Sequence, residues 1–181
     1  MSYFAAAVVR GPKGWAVSEF DLTGVSDAED VADRLRDLDL EADISLLFVE
    51  IDDEYLVLLR LDEGEDLRVF ASDSALAEES RLGAVLIADV EVPDPGLDIP
   101  DADEELAEDP ADADSETSLA DVAAEPDASP LGDTDLLSDL GASSGQLLEM
   151  CSREGNLPSD VTTEVCEVLG CADDMEELRE A

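Results

Sequence analysis

The chain has 181 residues, with 50 acidic side chains against nine basic ones, no histidine and a formal net charge of -41. Such a surface is repelled by nucleic-acid phosphates and by anionic lipid, because binding to either relies on Lys and Arg. A basic protein surface would instead attract it, with fast and salt-sensitive association. The same composition also suits solubility or a saline cytoplasm. Without histidine, Ser-His-Asp and Cys-His nucleophiles and most zinc-enzyme sites are excluded, and no GxxxxGK loop or GxGxxG turn offers a nucleotide site.

Hydrophobic residues make up 45% of the chain but aromatics only 4%, so the expected core is modest and rests on Leu and Val. The start, "MSYFAAAVVRGPKGWA", lacks a basic leader region and its apolar run breaks at Arg10, Gly11 and Pro12. No apolar run approaches the roughly 20 residues of a membrane-spanning helix. Three cysteines with no disulfide-framework spacing point to a reducing, cytoplasmic setting.

In chain order, "YFAAAVVR" and "WAVSEFDL" read as two strands joined by the turn "GPKG". Ser26 or Asp27 then caps a helix with Ala28, Val31, Ala32, Leu35 and Leu38 at helical spacing. "ISLLFVEI" is apolar on both faces, as a central strand would be. It continues through "DDE" into "YLVLLRL" and through "DEGED" into "LRVFASD", a three-strand meander. Leu76, Leu82, Val85, Leu86 and Val90 suit one or two helices, although "GAVLIADV" alone also fits a strand; helix is the reading adopted. The fold class expected for residues 1–91 is therefore α+β: an antiparallel sheet of about five strands with one or two helices on one face.

Between Glu91 and Pro130 the pattern collapses. Fifteen acidic residues and no basic one are interleaved with Ala, Pro and Ser. Too little apolar surface is present to offset the cost of ordering the backbone. Residues 92–130 are expected to form a disordered, self-repelling linker.

Residues 131–181 read as a small helical domain. Asp133 or Thr134 starts a short helix stopped by Gly141. Ser143 or Ser144 caps the next, with Leu147, Leu148 and Cys151. Pro158 opens a third, with Val161, Val165, Val168 and Leu169, closed by Gly170. Asp173 to Arg179 adds a last amphipathic turn. So small a bundle needs the first domain, or a partner, for its stability.

No catalytic, cofactor or metal residue is assigned. Cys151, Cys166 and Cys171 are read as small buried apolar residues rather than zinc ligands. The acidic clusters at Asp52 to Glu54 and Asp62 to Asp66 fit turns and do not match a calcium loop. The apolar residues singled out for partner binding are Leu136, Leu137, Leu140, Leu147 and Leu148, although the core of the bundle is the more usual place for any one of them. Trp15, the single tryptophan, joins them, with the rim of the first hairpin as its alternative.

The order of "VSEFDLTGVSDAEDVADRLRDL", "LFVEIDDEYLVLLRL", "RVFASD", an acidic linker and "LLSDLGASSGQLLEMCSREGNLPSDVTTEVCEVLGCADDMEELR" resembles the actinobacterial tRNA adenosine deaminase-associated proteins. The resemblance spans nearly the whole chain and lies in order and pattern rather than in one motif. It implies a role beside the enzyme that converts adenosine to inosine in tRNA, and it carries over no catalytic residues. A zinc-dependent deaminase needs an H-x-E and a P-C-x-x-C segment; this chain has neither. The expectation is thus a non-enzymatic, cofactor-free accessory or regulatory protein. Its partner would be a basic protein, the tRNA adenosine deaminase, bound through acidic and helical segments without direct contact to nucleic acid or membrane. The alternative is an independent ligand-sensing or scaffold module in which the linker is a plain tether.

Overall fold

The computed structural model describes residues 2–90 and 130–181. The predicted linker therefore lies outside the described residues except at Pro130. Six strands form one antiparallel sheet: β1 (Tyr3–Gly11), β2 (Gly14–Glu19), β3 (Ile44–Ile51), β4 (Tyr55–Asp62), β5 (Asp66–Ala71) and β6 (Leu131–Gly132). Their spatial order is β2-β1-β3-β4-β5-β6. The helices are α1 (Ala28–Leu38), α2 (Leu76–Glu79), α3 (Arg81–Leu86), α4 (Ser144–Ser152), α5 (Pro158–Leu169) and α6 (Ala172–Glu180).

The α+β class holds, with two differences from the expectation. The sheet gains a sixth strand, because Leu131 and Gly132 return to pair with Ala71 and Phe70 on the free edge of β5. Helices also cover both faces of the sheet instead of one. Side chains alternate along a strand, and here each set finds its own cover. Ala5, Ala7, Leu47, Val49, Val57 and Leu59 pack against Val31 and Leu35 of α1 and Leu76 and Leu86 of α2 and α3. Ala6, Val8, Leu46, Phe48, Leu58 and Phe70 point the other way, into Leu136, Leu137, Leu147, Val161, Val165 and Met175 of the C-terminal segment. This is why every residue of β3 is buried.

Local chemistry fixes the helix ends. The Asp27 carboxylate accepts the backbone N–H of Asp30 at 2.8 Å to start α1. Ser143 and Gln146 form a reciprocal capping box on α4. Pro158 opens α5, and Gly170 closes it in the left-handed region. The helix expected from Asp133 to Leu140 is reduced to a single 3-10 turn at Ser138–Leu140. The Asp133 carboxylate takes the N–H of Asp135 at 2.9 Å, a local bond that competes with helix formation. Gly132 could be no other residue: its φ is 92°, and a Cβ would lie 2.1 Å from the Val69 carbonyl oxygen.

Candidate partner-binding surface

A partner-binding surface needs reachable apolar anchors, and the six candidates differ in this respect. Leu136, Leu137 and Leu147 are fully buried, filling the layer between the sheet and the C-terminal helices. A partner would have to open that core to touch them, so the core reading of these three is the one the structure supports. Leu140 and Leu148 are half-buried at the edge of the same cluster. Trp15 is half-buried on the edge strand β2, with the Arg10 guanidinium 5.7 Å from its ring centre. The exposed large apolar residues include Leu40 at 81%, with Leu38, Leu157 and Val168 each near half exposed. Leu40 carried a sequence signal that periodicity overlooks. It is an apolar residue between acids in "DLDLEAD", outside any regular element.

Two ion pairs at the covered face hold the C-terminal helices in place. Arg60 of β4 is buried, bonds Asp62 through Nε at 2.9 Å and donates Nη1 to the Leu136 carbonyl at 2.5 Å. Its Nη2 reaches Asp139 at 2.7 Å. The hydrogen bond from Arg60 holds the Asp139 carboxyl below the usual carboxylate value. Arg60 is correspondingly pushed further up by its bond to Asp139, although burial opposes the shift. On β3, the buried Glu50 pairs with Arg179 of α6, whose guanidinium also lies 4.5 Å from the Phe4 ring centre. A charge buried on a sheet is tolerated only when paired, so these contacts specify how α6 and the 3-10 turn sit on the sheet.

Four further arginines, two of them exposed, also bind acceptors of the protein itself. Arg34 donates to the carbonyls of Asp21 and Thr23 at 2.7 and 2.9 Å. Arg36 reaches the Gly64 carbonyl at 2.7 Å as well as Asp33. Arg68 pairs with Asp62 at 2.8 Å, and Arg153 with Glu164 at 3.1 Å. Six of the nine basic residues are thus bound to the protein's own acceptors. Arg10, Lys13 and Arg81 make no side-chain hydrogen bond or ion pair with the described residues. The outer surface is correspondingly anionic.

One end of the sheet concentrates that charge. The loop 39–43 and the β4–β5 turn 62–66 are joined by the Glu63 N–H to the Asp43 carbonyl at 2.9 Å. Together they carry Asp39, Glu41, Asp43, Glu63, Glu65 and Asp66, and three of these, Asp39, Glu63 and Glu65, line one cavity with the exposed Leu40. A second concentration of acids is the segment 91–129, and its anchor points are well placed. Val90, where the described chain stops, and Gly132, where it has re-entered the sheet, line one cavity of about 720 Å³ with Arg68 and Asp133. The segment therefore leaves and rejoins a single packed body at one place beside β5.

The cysteines lie in or beside the C-terminal core, Cys166 and Cys171 buried and Cys151 half-buried, all as free thiols. Burial raises the Cys151 thiol to about 11, which makes it a poor nucleophile. No helix among the described residues is long and apolar enough to cross a membrane.

Against known proteins, the model of the Rv3753c-like tRNA adenosine deaminase-associated protein family matches residues 3–172. No curated protein and no solved structure matches the chain.

Proposed function

Because the chain belongs to the Rv3753c-like tRNA adenosine deaminase-associated protein family, we propose that it is a non-catalytic accessory protein that binds a tRNA adenosine deaminase in the cytoplasm. The observation that carries this reading is electrostatic. The chain holds most of its arginines in internal contacts and leaves acids outside, so its surface is complementary to a basic, RNA-binding enzyme and repels RNA itself. Residues 92–130 sit on or near the enzyme's RNA-binding surface and restrain it until tRNA displaces them.

Charge gives speed more than specificity, so apolar anchors are also required. The C-terminal layer supplies them at its reachable positions: Leu140 and Leu148, together with the more exposed Leu157 and Val168. Trp15 lies at the edge of the same face. A plain tether would separate two bodies, whereas this segment begins and ends on one. That geometry favours a charged loop presented to a partner.

The test compares the full chain with a variant in which residues 92–129 are replaced by a short neutral Gly/Ser loop, each titrated with the deaminase from the same cell. The reading predicts weaker binding and a smaller salt dependence for the variant. Equal affinity and equal salt dependence for both proteins would remove the segment from the mechanism.

A further inference from the structure

A cavity of about 520 Å³ opens at the end of the sheet opposite the acidic loops, between the 22–25 loop, the start of β1 and the α3 helix. Its floor is apolar and fixed: Leu22 and Ile51 are buried, and Val25 and Val85 complete the walls. The 22–25 loop is pre-shaped, because Arg34 grips the carbonyls of Asp21 and Thr23 and the Asp21 carboxylate takes the Thr23 N–H at 2.8 Å. The size lies within the range of sites for small molecules.

The polar lining sets this cavity apart. Of the five cavities described, it alone contains no Asp or Glu, in a chain with 50 of them. It does contain Arg81, whose guanidinium makes no hydrogen bond or ion pair with any described residue, while most other arginines are matched internally. Ser80 also lines it and is buried. Its oxygen accepts the Gly83 N–H at 3.1 Å, and its hydroxyl proton has no acceptor among the described residues. One unmatched cation and one available hydroxyl donor at the edge of an apolar space suit a single anionic head on an apolar body.

We infer that this cavity binds a small amphiphilic carboxylate, an acyl or aryl acid, with the carboxylate on Arg81 and Ser80 and the apolar part against Leu22, Val25, Ile51 and Val85. The site is independent of the proposed partner. It lies on the sheet face away from the C-terminal helices, and its ligand is a small molecule.

The full chain is titrated with octanoate, 1-octanol and octylammonium, by calorimetry and by amide chemical shifts. Octanoate should bind saturably at one site and shift Thr23, Gly24 and Val85, whereas octylammonium should not. Octanol should bind at least about tenfold more weakly, the scale of one charge-assisted hydrogen bond. Arg81→Gln, an exposed position, should bring octanoate down to the octanol level and leave octanol unchanged. The inference is overturned by any one of three results: no saturable octanoate binding, octylammonium binding as well as octanoate, or unchanged octanoate affinity in Arg81→Gln.

Discussion

Replacing Arg179 by alanine tests how firmly the C-terminal helices are held on the sheet. Its partner Glu50 has a side chain only 6% exposed, on the strand at the centre of the fold. The substitution removes a cation from above the Phe4 ring, worth roughly 0.5–1 kcal/mol. It also leaves a buried carboxylate unpaired, which costs about 3–5 kcal/mol where water is kept out. Arg179 is itself 26% exposed, so water enters the vacated space and the lower end applies. The expected loss is about 3 kcal/mol, or roughly 6–12 °C in Tm for a fold of this size. Urea and thermal unfolding followed by circular dichroism measure it. Replacing the pair together, Glu50→Leu with Arg179→Met, should restore most of the loss, since a well-packed apolar pair is often as stable as a buried ion pair. An alanine variant within about 1 kcal/mol of the parent, or a double variant no better than the single, would refute the view that a buried pair secures α6.

Three further predictions concern other parts of the fold. Gly132→Ala should destabilise the chain strongly and detach β6, because the new Cβ meets the Val69 carbonyl in a left-handed backbone; hydrogen exchange at the Asp133 N–H, which bonds the Val69 carbonyl at 2.8 Å, would report it, and unchanged protection there would count against the strand. Exchanging residues 92–129 for an eight-residue Gly/Ser loop shortens the closed loop by roughly two doublings and should stabilise the fold by about 1 kcal/mol; a measured loss of stability would mean that the segment packs on the fold. Asp139 has a lowered folded value because of its bond to Arg60, so its contribution is complete above the ordinary carboxylate value of 3.8 and is lost as pH falls through the lowered one. The stability gap between the parent and Asp139→Asn should therefore be flat at neutral pH and narrow only in acid, and a gap that closes between pH 7 and about 5 would contradict this assignment.

Much of the architecture was legible because local signals and tertiary packing agree. "ISLLFVEI" has no polar face, and it becomes the central strand with both faces covered. Pro158 and Gly170 bracket α5 where their backbone preferences place them. β6 was not legible, since two residues far along the chain give no periodicity and gain their partners only when β5 is already in place. The second helical layer had left a trace: the alternate residues Leu46, Phe48, Leu56 and Leu58 are as apolar as their neighbours, which only a second cover explains. Arg60 and Glu50, lone charges inside apolar strands, were further traces, but their partners lie 79 and 129 residues away. For the candidate site, helical spacing could not separate core leucines from surface ones. Both lie on apolar stripes, and the sheet beneath decides which are covered.

The proposed role is tested most directly by calorimetric titration of the tRNA adenosine deaminase from the same cell with the full chain, at low and high salt, with and without tRNA. Saturable binding that weakens steeply with salt and that tRNA competes away is expected. Binding that tRNA leaves unchanged, or none at either salt concentration, would contradict it.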